Sequence, residues 1–182
     1  MPVPVVTTPR LVLRGFSGED AGAFHRILCG KDVLRYFPRT DPPPLERVGG
    51  MIRAVLRHWE ERGFGLWAVT LREDGEPMGR CGLQRIEETG ETELDVLLGA
   101  GNWGRGYATE ACRAGLRFGA ATLHPEEIVG IVHPENAASR HLVEKLGFTL
   151  IERARYFDMD CVRYAIGREA LERLHGREPA GR

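Results

Sequence analysis

Three glycines and an arginine lie in one short segment whose spacing suits phosphate binding. Gly99, Gly101 and Gly104 follow the pattern G-x-G-x-x-G, and Arg105 comes directly after them. Backbone N–H groups that no side chain covers, at the start of a helix, bind phosphate or pyrophosphate well. The segment therefore predicts a site for a nucleotide diphosphate, with Arg105 adding a positive charge. A glycine bend that binds no ligand is the alternative.

The same spacing occurs in dinucleotide-binding enzymes, so a nicotinamide-dependent oxidoreductase is a second interpretation of the segment. That motif also needs an acidic residue about 20 positions further on, after the next strand, to bind a ribose. Here Glu126 and Glu127 come before the end of the next predicted strand, at His133, and not after it. The chain also lacks the successive strand–helix–strand units of a doubly wound sheet. Both observations disfavour a dinucleotide site.

The periodicity of apolar residues predicts the elements that must position this segment. We expect a strand at 8–16, helices at 17–29 and 45–61, strands at 66–71, 78–86 and 92–98, a helix ending near residue 122, a strand at 127–133, a helix at 135–146, and strands at 148–156 and 159–166. Strands joined by short turns should be antiparallel, and strands separated by a helix should be parallel. The pattern predicts a mixed α/β sheet with helices on its faces.

Length and composition limit the class of protein. The 182 residues predict one domain at 1–175 with a mobile polar tail at 176–182. The 25 basic and 26 acidic side chains give a net charge of −1, which offers no attraction to nucleic acid or to an anionic membrane. The chain has no apolar run of about 18 residues and no signal-peptide pattern, so we expect a cytoplasmic protein.

Cysteine and histidine spacing predicts no metal site. The four cysteines form no C-x-x-C pair, and the six histidines form no H-x-x-x-H pair. Free cysteines usually behave as small buried apolar residues.

Motifs around and after the glycine segment resemble those of GNAT-fold N-acetyltransferases. Residues 104–108 match the acetyl-CoA loop signature Q/R-x-x-G-x-G/A, with Trp103 where glutamine or arginine is usual. The stretches N-A-A-S at 136–139 and E-K-L-G-F at 144–148 resemble the RimJ/RimL-like branch, which commonly carries W-G-x-G-Y-A at the loop. The resemblance covers roughly residues 7–170. It implies a GNAT-type α/β fold, with a mixed, mostly antiparallel central sheet and helices on both faces.

The resemblance also implies where acetyl-CoA binds. In the family the pyrophosphate lies on the loop amides, and the pantetheine arm lies along the strand at 92–98 as an added strand would. A backbone N–H there would polarise the thioester carbonyl. Asn136 matches the residue that hydrogen-bonds the pantetheine arm, and it could also be a helix N-cap. The expected cofactor-binding residues are Val96, Leu97, Leu98, Trp103, Gly104, Arg105, Gly106, Tyr107, Ala108, Thr109 and Asn136.

The implied reaction is the attack of a neutral amine on a thioester. At pH 7, deprotonating a lysine amine (pKa ~10.4) costs about 4.6 kcal/mol, and an α-amine (pKa ~8) about 1.4 kcal/mol. Glu93 occupies the family's acidic strand position and is the candidate base, directly or through water. A solvated surface acid is the alternative for Glu93. Asp95, on the same face of the strand, is the second choice of base.

The leaving thiolate also needs a hydrogen-bond donor. Many family members use a tyrosine, but Val143 stands at that position here. Ser139 matches the RimJ/RimL-like serine and is the expected donor. A serine hydroxyl is a poor acid, but a thiolate with a pKa near 8.5 leaves tolerably without full proton transfer.

The acceptor site should form from the first two helices, the loop at 37–45 and the closing hairpin at 156–161. Candidate residues there are Arg35, Tyr36, Arg39 and Asp41. We expect an acetyltransferase acting on a primary amine, either a protein N-terminal α-amine or a small molecule. A homodimer is possible. Because Val143 removes the usual acid, a non-catalytic acyl-CoA-binding domain is a further interpretation.

Overall fold

A computed structural model gives the fold and describes residues 2–175 of the chain. The strands are β1 Val6–Thr7, β2 Leu11–Arg14, β3 Leu66–Leu71, β4 Pro77–Arg85, β5 Thr92–Leu98, β6 Glu127–Val132, β7 Thr149–Tyr156 and β8 Met159–Gly167. The helices are α1 Asp20–Leu28, α2 Leu45–Arg62, α3 Tyr107–Thr122, α4 Ala137–Lys145 and α5 Arg168–His175. A 3₁₀ turn at Ala100–Asn102 lies between β5 and α3.

The eight strands form one sheet in the order β1-β2-β3-β4-β5-β6-β8-β7. All neighbouring strands are antiparallel except β5 and β6, which are parallel because the α3 crossover joins them. β4 and β5 pair along seven positions, whereas β5 and β6 pair at one, Glu93 with Val129. The expected mixed, mostly antiparallel sheet is confirmed. Its one parallel pair leaves an opening beside the C-terminal half of β5.

The rule that helix-separated strands run parallel is wrong for β2 and β3. These strands are antiparallel neighbours, with Leu13 opposite Val69, although two helices connect them. Two successive helices that pack on each other return the chain to the end of the sheet that it left. For β6 and β7, which α4 separates, the predicted common direction holds, but β8 is inserted between them.

The C-terminal helix α5 was not expected from the apolar pattern. It packs against α3 and buries Leu171, which is 1% exposed. The backbone N–H of Arg168 donates to the Glu126 carbonyl, which fixes the start of the helix beside β6. The predicted tail at 176–182 lies outside the described residues.

Helix α3 lies unusually close to the sheet. A Cβ at Gly119 would come within 2.5 Å of the Leu83 side chain, so the helix can approach β4 only because that position has none. Ala111 and Cys112 are fully buried on the same face, with the Cys112 Sγ 3.7 Å from the Cys81 Sγ. This packing sets the first turn of α3 at the opening beside β5.

None of the helices in the described part of the chain is long and apolar enough to cross a membrane.

Candidate active site

Two adjoining cavities lie at the opening between β5 and β6. One has a volume of about 600 Å³ and is bounded by the segment after β5 and the start of α3. The other has a volume of about 260 Å³ and is bounded by β4, β5, β6 and the β7–β8 hairpin. They share a wall that consists of Tyr36, Phe37, Val96, Asn136, Ser139 and Leu142. A molecule in one cavity would therefore lie next to a molecule in the other.

The loop before α3 presents unpaired backbone donors to the larger cavity. Gly104 and Gly106 have φ values of 71° and 80°, a left-handed conformation that glycine adopts without the Cβ clash of other residues. Among residues 2–175, no acceptor is found for the N–H groups of positions 104–109. The first turn of a helix leaves such groups without intrahelical partners. The arrangement fits a diphosphate, as the glycine spacing predicts.

The side chain of Arg105 does not line either cavity. Its guanidinium lies over the Tyr107 ring, 5.2 Å from the centroid, so the predicted positive charge stacks on that ring and does not border the cavity. The other ten expected cofactor-binding residues all line the larger cavity.

Residues from the N-terminal segment hydrogen-bond to this loop and to the first turn of α3. Arg10 donates from Nε to Glu110 Oε2 (2.6 Å) and from Nη1 to the Arg105 carbonyl (2.9 Å). Thr8 Oγ1 donates to Glu110 Oε1 at 2.7 Å. Burial opposes ionisation, but the hydrogen bonds from Thr8 and Arg10 outweigh it and lower the pKa of Glu110. We call Thr8, Arg10 and Glu110 the N-terminal clamp. No sequence motif indicates these contacts.

Strand β5 offers backbone groups to the larger cavity. The Gly99 N–H donates to the Met78 carbonyl at 2.9 Å. Because such groups alternate along an antiparallel pair, the N–H groups of Val96 and Leu98 point away from β4, toward the opening. The indole Nε1 of Trp103 donates to the Leu98 carbonyl at 2.8 Å, a contact that the motif did not predict.

Asn136 and Ser139 lie where the two cavities meet. The Asn136 Oδ1 accepts a hydrogen bond from the Ser139 backbone N–H at 3.1 Å, so Asn136 is the N-cap of α4. Its amide nitrogen donates to no residue in the described chain, so it is available to a ligand. The Ser139 side chain is partly buried and lines both cavities.

Glu93 is a buried acid in the wall of the smaller cavity, not a solvated one. It is 6% exposed, and Gln84 Nε2 donates to its Oε2 at 2.9 Å. Burial, and next the nearby charge of Asp95, raise the pKa of Glu93 to about 8, against the opposing effects of Gln84 and Arg80. A carboxyl with such a pKa can take up a proton near neutral pH.

Asp95 lines the same cavity but is paired. The Arg80 Nη2 lies 2.7 Å from Asp95 Oδ2, and both side chains are largely buried. Val143, where the family's tyrosine is usual, is 5% exposed and contributes only apolar surface. Of the two acids, Glu93 is thus the one that forms no ion pair in this wall.

The outer wall of the smaller cavity comes from two distant segments. Tyr36, Phe37 and Pro38 precede α2, and Phe157, Met159 and Cys161 belong to the β7–β8 hairpin, two of the segments predicted to form the acceptor site. The first two helices were also predicted to contribute, but no residue of α1 or α2 lines either cavity. Arg35 lines the larger cavity instead, and Arg39 and Asp41 line neither.

His133 is a further wall residue, whose role the sequence analysis missed. Its ring lies 5.1 Å from the Tyr36 ring, and its Nδ1 accepts from the Glu135 N–H at 3.2 Å. Across residues 2–175, no three His, Cys, Asp or Glu side chains lie close enough together to hold a metal ion.

Comparison with known proteins identifies the family. Residues 10–149 match the family described as acetyltransferase (GNAT) domain. The chain belongs to the GNAT acetyltransferase family. This acetyltransferase is 30% identical over 142 residues to the uncharacterized N-acetyltransferase p20 of Bacillus licheniformis. The aligned region covers 78% of this chain and 80% of p20. Enzymes of the family use acetyl-CoA, so the interpretation as a nicotinamide oxidoreductase is set aside.

Solved structures agree with this assignment. The GNAT acetyltransferase described here is similar to an acetyltransferase from Agrobacterium tumefaciens, with a TM-score of 0.80, 29% identity, and coverage of 91% of this chain and 95% of the other. It also shares the fold of RimL, a ribosomal L7/L12 α-N-protein acetyltransferase solved in complex with coenzyme A. That likeness has a TM-score of 0.76 and 16% identity over 92% of this chain and 99% of RimL.

Proposed function

We propose that this enzyme transfers acetyl from acetyl-CoA to a primary amine by direct attack in a ternary complex. The shared wall of the two cavities carries the proposal: unpaired loop amides border one cavity, Glu93 borders the other, and Ser139 faces both. An acylated thiol in the first and an amine in the second would meet beside Ser139.

The larger cavity is suited to acetyl-CoA, which supplies the acetyl group as a thioester when bound. The free N–H groups of residues 104–109 would hold the diphosphate at the start of α3. The N–H groups of Val96 and Leu98, together with the Asn136 amide nitrogen, would bind the pantetheine arm. The unpaired donors support this assignment, because they need an acceptor from outside the chain.

Glu93 is proposed as the general base. An amine reacts only when neutral, and most primary amines are protonated at pH 7. The ionised Glu93 carboxylate would accept the amine proton, directly or through water, and Gln84 holds that carboxyl in place. Asp95 is less suited to this role because Arg80 already pairs with it.

Ser139 is proposed to donate a hydrogen bond to the sulfur that leaves. Its hydroxyl lies at the shared wall, and Val143 has no polar atom to take this role. Cys161 is the one cysteine that lines either cavity in the described chain, and burial raises the pKa of its thiol. A largely protonated thiol is a poor nucleophile, which supports direct transfer without an acyl-enzyme.

Thiol release from acetyl-CoA tests this proposal. We expect release with at least one primary amine, an N-acetylated product by mass spectrometry, and intersecting initial-rate lines when both substrates are varied. Parallel lines would indicate a covalent intermediate and contradict direct transfer. Calorimetric binding of coenzyme A without release on any amine, across free N-terminal peptides, lysine peptides, polyamines, aminoglycosides and simple monoamines, would instead indicate a non-catalytic binding domain.

A further inference from the structure

A bulky aromatic residue occupies a strained position at the rim of the smaller cavity. Phe157 and Asp158 form the two-residue turn between β7 and β8, with φ values of 53° and 62°. Turns in which both central residues have positive φ strongly prefer Asn-Gly or Asp-Gly. A bulky side chain with positive φ is a rare outlier, and such outliers cluster at functional sites. Phe157 lines the cavity, whereas Asp158 does not.

The charges in this cavity suit an amine with one positive charge. Asp95 is neutralised by Arg80, so Glu93 is the one acid of the described cavity wall that has no cationic partner. A polyamine or aminoglycoside carries several ammonium groups. All but one of them would lack a carboxylate here, because Arg80 already pairs with Asp95.

The remaining surface suits an apolar substituent. Tyr36, Phe37, Phe157 and Met159 all line the cavity, which has a volume of about 260 Å³. Aromatic walls of this kind bind rings and short alkyl groups through burial and edge contacts. A volume of about 260 Å³ suits a small substituent.

We propose that the acceptor is a small primary amine with one positive charge and an apolar, preferably aromatic, substituent, which Phe157 contacts. The inference rests on the proposed function and specifies its substrate class. Phe157 then explains why the turn keeps a disfavoured residue: its ring covers the substituent while Glu93 faces the amine.

Competing amines in the thiol-release assay test the substrate class. We expect kcat/KM for 2-phenylethylamine to exceed that for spermidine, kanamycin and a free N-terminal tetrapeptide at least about tenfold, as apolar contacts can provide. A higher value for any of the other three amines overturns the inference and leaves the proposed function standing. No release with any amine overturns both.

Two variants of the same turn test the role of Phe157. Asparagine tolerates positive φ, so we expect F157N to raise Tm and to lower kcat/KM for 2-phenylethylamine about fivefold or more. The value for ethylamine, which has no ring, should fall less than the value for 2-phenylethylamine, so the ratio of the two values should drop. D158G is the matched control: it relieves the neighbouring strained position and should raise Tm with unchanged kinetics. Equal losses in F157N for ethylamine and 2-phenylethylamine, or no loss, overturn the inference.

Discussion

At the residue scale, the chemistry of Glu93 depends on where its carboxyl lies. The side chain starts from the edge of the sheet opening, where β5 leaves β6, and points into a cavity with mostly apolar walls. Burial disfavours its ionised form, so its pKa of about 8 comes close to the pH at which it would have to accept a proton. An exposed glutamate in the same strand would stay ionised and be a weaker base.

The pH dependence of turnover should reveal this shifted pKa. Glu93 acts as a base only when ionised, so log kcat/KM of the wild type should bend near pH 8. The E93Q variant should lose about 10²- to 10⁴-fold in rate and should lack this bend. Initial rates from pH 6 to 10 measure both effects. A bend that persists in E93Q would show that another group titrates there.

Ser139 can be tested with little risk to the fold. Its backbone N–H, not its hydroxyl, makes the capping bond to Asn136, so S139A should retain the start of α4. We expect kcat to fall about tenfold to a hundredfold, because the departing sulfur loses a donor. Coenzyme A affinity, measured by calorimetry, should stay the same. S139T keeps a hydroxyl and should recover part of kcat; an unchanged kcat in S139A would refute the role.

At the element scale, the first turn of α3 combines free amides with glycines that cannot be replaced without strain. Gly106 has a φ of 80°, which residues with a Cβ rarely adopt. A Cβ at this position would also lie only 3.3 Å from Arg10 Nη2. We expect G106V to weaken coenzyme A binding about tenfold or more and to lower the free energy of unfolding by about 1–2 kcal/mol. Calorimetry and urea unfolding measure these effects.

Gly101 provides the matched control for that loop. It lies in the 3₁₀ turn with open space around its Cβ position and with no positive φ. G101V should therefore change neither coenzyme A affinity nor stability appreciably. If both variants weaken binding equally, the amides at 104–109 are not the specific site.

The N-terminal clamp predicts an effect on binding at a distance from the chemistry. R10A removes the contacts to Glu110 and to the Arg105 carbonyl, so the loop loses its support. We expect a KM for acetyl-CoA about fivefold to tenfold higher with kcat unchanged at saturation, because charge-assisted bonds are worth about 1.5–3 kcal/mol. T8V removes one neutral donor and should have a smaller effect. A fall in kcat with unchanged KM would contradict this role.

The helices and strands are largely predictable from the sequence, whereas contacts between residues far apart in the chain are not. Strands β3 and β5 begin and end where the short apolar runs between turn residues predict, and both are buried along most of their length. The clamp joins Arg10 to Glu110 across 100 positions, and no local pattern contains that contact. The turn at Phe157 carries residues that the known turn preferences do not favour. Motifs thus located the loop and the segments of the acceptor wall but missed the contacts that support the loop.

At the scale of the whole molecule, the buried Glu93 should make stability depend on pH. Its pKa is raised from 4.5 to about 8 on folding, so the folded state holds this proton more tightly than the unfolded chain. The contribution of this protonated carboxyl to the free energy of unfolding is fully present below about pH 4.5 and is lost as pH rises through 8. The E93Q variant should show no such loss of stability, because a glutamine side chain does not ionise. We expect E93Q to match the wild type near pH 5 and to exceed it at pH 9 by on the order of a few kcal/mol.

Urea unfolding of both proteins at the two pH values measures this difference. An E93Q advantage of the same size at pH 5 and pH 9 would mean that ionisation of Glu93 does not determine it.

The single rung between β5 and β6 has a mechanical consequence. Strands β1 to β5 pair with one another along their length, and so do β6, β8 and β7. Between these two groups of strands the sheet has one pairing, Glu93 with Val129. A long ligand that hydrogen-bonds to β5 and also contacts α4 would bridge the two groups of strands. Such a ligand would add hydrogen bonds along β5 where the sheet itself has a single pairing, so binding should tie the two groups of strands together more firmly.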